Sequence, residues 1–121
     1  MNSSPWYAAH TQVILVTGTA AGITTDLTPP ASTVYRVLFC QAFHSAAAAR
    51  NLRWAIIATA ALTIGPADNI AVGGIKYLYT LPFEAPIILH NGETLRINSD
   101  VVGAEHCDLT AVVEVVRGAP N

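Results

Sequence analysis

Charge is what this sequence has least of. Only 12% of its 121 residues are Asp, Glu, Lys or Arg, about half the ~25% of an ordinary soluble domain. Six Lys and Arg in all are a poor supply for neutralising phosphates, which argues against nucleic-acid binding. Only a local patch of Arg50, Arg53 and Lys76 keeps that possibility open. Cysteine is scarce too. Cys40 and Cys107 stand far apart, so no disulfide framework is indicated. Cys40 falls in an apolar stretch, where a reduced, buried thiol is expected. Long hydrophobic runs are missing. The longest, Trp54 to Ile64, is broken by threonines and falls short of the ~20 residues that span a bilayer. The N-terminus, Met1-Asn2-Ser3-Ser4-Pro5-Trp6-Tyr7, has no basic region followed by an apolar one. No targeting segment is therefore expected, and the chain is expected to be made in the cytoplasm.

Signatures of chemistry are also lacking. Neither Gly-x-Ser-x-Gly nor the phosphate-binding Gly-x-x-x-x-Gly-Lys-[Ser/Thr] occurs. Thr17-Gly18-Thr19-Ala20-Ala21-Gly22 lacks the spacing of a dinucleotide loop and its basic residue, so it reads as a turn. Glu105-His106-Cys107-Asp108 places four metal-ligating types in a row. On an extended chain, neighbours point to opposite sides. Only His106 with Asp108, or Glu105 with Cys107, can share an ion, and His10, His44 and His90 stand at no zinc spacing from them. Glu84, Glu93 and Glu105 offer carboxylate pairs, as any β protein with eight acids does. No catalytic residue, metal or cofactor is implied, and the expectation is a protein that is not an enzyme.

What is present is apolar and alternating. Hydrophobic residues make up 52%, and a chain of this size suits one domain that buries about two-thirds of its unfolded surface. The low charge leaves neutral surface suited to subunit contacts, although an Ala- and Val-rich core accounts for the same composition. Residues 1–9 form an arm, 10–118 the domain and 119–121 a tail. Trp6 and Tyr7, so near the terminus, need an apolar partner on this subunit or on a neighbour.

Along the chain, His10 to Thr17 alternates Val13 and Leu15 against Gln12, Ile14 and Val16. A short strand over Ile23 to Leu27 ends at Pro29-Pro30, which cannot donate to a ladder. Thr33 to Phe43 is a central strand, with Tyr35, Val37, Phe39 and Phe43 on one face and Val34, Leu38, Cys40 and Ala42 on the other, Arg36 being the exception. Ser45 to Leu62 fits a helix through Ala46–Arg53. It equally fits a loop followed by a strand over Leu52 to Ala60, which the β-branched and aromatic residues favour. Ile64 to Gly74, with Gly65-Pro66 and Gly73-Gly74, reads as a loop. Ile75 to Leu81 alternates again, and Pro82 and Pro86 bracket a corner. Pro86 to Asn98 then places Asn91-Gly92 between an apolar and an alternating run, the strongest short-range hairpin signal. Asp100 to Asp108 is a polar connection. Leu109 to Arg117 is the last strand, with Leu109, Ala111, Val113 and Val115 inward. Seven or eight alternating strands without a fixed repeat predict an all-β, antiparallel β-sandwich of jelly-roll type.

This order of features resembles the small β-sandwich virion proteins of tailed bacteriophages, of the capsid decoration or cement type. The resemblance runs through Val34-Tyr35-Arg36-Val37-Leu38, the loop Ser45 to Asn51, the strand Leu52 to Ile57 and the stretch Pro86 to Arg96. It implies a viral structural protein that sits on the major capsid lattice, often as a homo-trimer, and locks its subunits. Trp6, Tyr7, Arg36, Arg50 and Arg53 are the residues then expected at the partner interface, with Asn91 and Gly92 in a structural role. The alternative is a glycan- or receptor-binding module of a phage fibre or tail, using Trp6, Tyr7, Trp54, Tyr77 or Tyr79 against sugar faces.

Overall fold

The structure is a computed structural model that describes residues 10–78 and 87–117. Among these it is all-β. Nine strands follow one another: β1 (His10–Val16), β2 (Thr24–Leu27), β3 (Thr33–His44), β4 (Arg50–Ile57), β5 (Ala61–Ile70), β6 (Lys76–Leu78), β7 (Ile87–Leu89), β8 (Thr94–Ser99) and β9 (Cys107–Arg117). One sheet runs β1-β9-β3-β6, with β7 also on β3, and the other runs β2-β8-β4-β5. All pairings are antiparallel. β6 and β7 lie end to end along the same side of β3. Taken as one position, they give eight positions in the orders 1-8-3-6 and 2-7-4-5, the winding of a jelly roll.

Period two builds the core. Leu95 and Ile97 of β8, Leu52 and Trp54 of β4, and Leu109, Ala111, Val113 and Val115 of β9 all face inward and are buried. Arg53 of β4, Thr94, Arg96 and Asn98 of β8, and Thr110, Val112 and Glu114 of β9 alternate with them. β3 departs from simple alternation. Its register against β9 shifts by one residue between Val37 and Phe39. This bulge inserts Leu38, so Tyr35 and Val37 share the core with Cys40, Ala42 and His44 rather than with Phe39. Phe39 is turned outward, 38% exposed. The face assignment expected for this strand is therefore corrected, because one inserted residue reverses every side chain beyond it.

The Asn91-Gly92 expectation is also corrected. The turn is there: the Glu93 amide donates to the His90 carbonyl at 3.0 Å, and Gly92 has φ 88°. Asn91 does not share that positive φ, so the pattern is that of a type II turn rather than the primed turns that join paired strands. β7 lies in one sheet and β8 in the other. The turn hands the chain across the sandwich and closes no hairpin. Glu93 secures it, its carboxylate accepting the His90 amide at 2.6 Å.

Ser45 to Leu62 contains no helix; β4 runs from Arg50 to Ile57 and turns at Ala58–Ala60 into β5. The stretch read as a loop, Ile64 to Gly74, is largely β5. Gly65, Pro66 and Ala67 stand together opposite Arg53 alone, since Leu52 pairs with Asp68 and Trp54 with Ile64. A bulge on an edge strand is where proline is tolerated in a sheet. Cys107 and Asp108, placed by sequence in a polar connection, are the buried start of β9. Residues 1–9, Tyr79, the Pro82–Pro86 corner and the 119–121 tail lie outside the described residues.

Polar contacts close the ends of the sandwich. Lys76 of β6, 8% exposed, donates across the sheets to Asp68 of β5. His44 Nε2 lies 2.9 Å from the Ile70 carbonyl, and its Nδ1 accepts the Ala46 amide at 3.2 Å. A carbonyl only accepts, so Nε2 carries the hydrogen in this arrangement. Gly18 explains itself through a close approach. A Cβ there would lie 2.2 Å from the Cys107 carbonyl oxygen, and the Gly18 amide donates to Asp108 at 2.8 Å.

Candidate interaction surfaces

The two outer faces of the sandwich differ in chemistry. On the β1-β9-β3-β6 sheet, register brings Val13, Val112 and Phe39 into one row across three strands. Phe39 stacks obliquely on Tyr77, with ring centroids 5.8 Å apart. Leu15 lies in the next row, opposite Thr110, and Ile88 lies opposite Arg36. Val13 is 66% exposed and Leu15 61%. The bulge in β3 completes this stripe, since it is what aims Phe39 outward. Arg36 pairs with Glu114 on this face, at 3.6 Å and partly exposed.

The outer face of the β2-β8-β4-β5 sheet is polar. Asp26 and Arg96, directly opposite each other, form a two-pronged pair at 2.7 and 2.9 Å. Nearby, Asn51, Arg53, Ala67, Asn98, Ser99 and Asp100 line a shallow groove of about 290 Å³. Asp100 accepts both the amide and the side chain of Asn51, at 2.9 and 3.0 Å. Asn69 donates to Asn51 at 3.1 Å.

The expected interface residues do not form one patch. Trp6 and Tyr7 lie outside the described residues. Arg36 sits on the apolar face of one sheet. Arg50 and Arg53 belong to β4 in the other sheet, and Arg53 is exposed. Arg50 is held internally, its Nε and one terminal nitrogen each 2.9 Å from the Glu105 carboxylate. Glu105 also accepts the Val102 amide at 3.0 Å. The guanidinium first, and that amide second, push its carboxyl down to about 2. With Lys76 on Asp68 as well, two of the three cations of the expected patch, Arg50 and Lys76, are held in ion pairs, and Arg53 stands exposed on β4. Trp54, a candidate for sugar stacking, is 1% exposed and belongs to the core.

The acid-histidine cluster resolves into pairs. His106 Nδ1 lies 2.9 Å from Asp108, the alternate-residue sharing that an extended chain allows. The Ser45 hydroxyl accepts the His106 amide at 2.9 Å, so it is turned to the backbone. Among the described residues, no three His, Cys, Asp or Glu come together as a metal site. Burial pushes the thiols of Cys40 and Cys107 up to about 12, far from the range of reactive cysteines.

Sequence reasoning offered Tyr77 for sugar stacking but did not single out Val13, Leu15, Phe39 and Ile88 as a surface. One signal was available: β1 and β3 are apolar on both of their alternating faces, and only one can face a two-layer core. No known family model matches the chain, and no curated protein matches it.

Proposed function

We propose that this protein is a structural component of a virion, of the capsid decoration or cement type, that docks on the major capsid lattice through its apolar sheet face. The carrying observation is the stripe Val13–Val112–Phe39–Tyr77, in which Val13, Phe39 and Tyr77 are exposed, on a small domain with few charges. Exposed apolar stripes rimmed by polar groups mark protein contacts. The jelly-roll winding is compatible, being common in capsid proteins, although fold alone assigns no function. Such a protein works by adding contacts between neighbouring lattice subunits, not by chemistry. The three copies that the resemblance implies are a separate matter, on which the sheet edge described below bears.

The test is cosedimentation with capsids of the encoding virus stripped of this chain, followed by heating. Wild type is expected to bind and raise heat resistance, while Val13→Asp with Leu15→Asp binds poorly and keeps its fold. Failure of wild type to bind, or full binding by that variant, overturns the proposal.

The second reading, a glycan-binding module, is favoured by the groove around Arg53, where guanidinium, amide and carboxylate groups converge. Saturable chemical-shift changes confined to Asn51, Arg53 and Asn98 on sugar titration would support it over lattice docking.

A further inference from the structure

A two-sheet sandwich leaves strand edges, and proteins usually blunt them. Here β2 is four residues long and runs into Pro29-Pro30. β5 carries the Gly65-Pro66 bulge and Asp68. β6 and β7 are three residues each. β1 has none of these devices. It is seven residues long, His-Thr-Gln-Val-Ile-Leu-Val, without proline, glycine, lysine, arginine or a carboxylate. Its register against β9 is unbroken from His10 to Val16. Its other edge has no strand among the described residues.

We infer that the β1 edge is a dimerisation site, where a second copy of this chain pairs its own β1 antiparallel about a two-fold axis at Ile14. Self-pairing suits this strand in three ways. With the axis at Ile14, Ile14 meets its own copy and Val13 meets Leu15 of the partner, so the pairs nearest the axis are apolar on both sides of the sheet, with Gln12 opposite Val16 beyond them. No carboxylate, lysine or arginine of β1 meets its like. The axis stands perpendicular to the sheet, so the exposed stripes of the two copies join on one side into a single longer surface. An isologous contact of this kind closes at two copies.

Light scattering tests the mass, and cysteine pairing tests the register. Wild type is expected at twice the chain mass, and Val13→Lys at the chain mass with its circular dichroism retained. Should Val13→Lys misfold, Leu15→Lys serves the same purpose. Ile88→Lys, on the same face but away from the edge, is expected to leave the dimer intact; its loss there would mean face-to-face stacking and overturn edge pairing. Mild oxidation should cross-link Ile14→Cys into a covalent dimer, whereas Gln12→Cys, opposite Val16, should stay uncross-linked. The two native thiols are buried and do not interfere. A wild-type monomer at every concentration, a trimer, or equal cross-linking of both variants overturns the inference.

Discussion

Among the described residues Trp54 is the largest fully buried side chain, yet its indole N–H has no acceptor there. That combination makes an unusual prediction for Trp54→Phe. The change removes two carbons and the nitrogen. Losing two buried carbons costs about 1.6 kcal/mol in transfer energy, and the small void left behind adds a few tenths to about 1 kcal/mol. Against this, an unsatisfied buried donor carries a penalty of about 1–3 kcal/mol that the phenyl ring does not incur. The terms nearly cancel, so Trp54→Phe is expected within about 1 kcal/mol of wild type, where Trp54→Ala should lose about 3–5 kcal/mol. Urea unfolding followed by far-ultraviolet circular dichroism reads both, because the signal comes from the sheets and not from the tryptophan. A loss of about 3 kcal/mol or more in Trp54→Phe would refute the reasoning, showing that the N–H is satisfied in solution.

Other perturbations follow from single contacts. Glu105 has its carboxyl lowered to about 2 by Arg50 and the Val102 amide, so its contribution is present above the ordinary carboxylate range and is lost as pH falls through about 2. Glu105→Gln should flatten that part of the acid-unfolding curve, and an unchanged curve would sink the assignment. Gly18→Ala pushes a methyl toward the Cys107 carbonyl. It should lower stability by about 1–3 kcal/mol or more in thermal melts, as overpacking does, and a neutral result would contradict the close approach. Under the proposed lattice role, Trp6→Ala should weaken capsid binding more than it lowers the melting temperature. Equal losses would place Trp6 in the subunit core.

Much of the fold was legible because alternation is a strong signal where a strand has one buried face. Leu109, Ala111, Val113 and Val115 were placed inward from spacing alone. Elsewhere the signal was locally intact and globally misleading. The insertion of Leu38 leaves perfect alternation on either side of itself, so nothing in the sequence marks the change of face. Asn91-Gly92 specifies backbone angles for two residues and says nothing of which sheet receives the strand that follows. Gly65-Pro66 reads as a loop because it breaks a ladder, but an edge strand has a partner on one side only and accommodates the break. The candidate surface was hidden for the same reason as the bulge. Phe39 was grouped with Tyr35 and Val37, so a surface ring was given the same face as two core side chains. Arg50 looked available to a partner because Glu105, which holds it, lies 55 positions away.

Of the nine strands, β9 comes last in the chain and lies between β1 and β3, while β8 lies between β2 and β4. A ribosome delivers the strands in the opposite order of need. β1, β2, β3 and β4 emerge first, yet each pairs with one of the two strands that come last. Until residue 117 is free, the β4–β5 hairpin is the one pairing available between consecutive strands. β1 meanwhile lacks β9, and its other edge has no strand beside it among the described residues. Nascent chains crowded on one message would thus be exposed to one another at that strand, and chaperone capture during synthesis would matter more for this protein than its small size suggests.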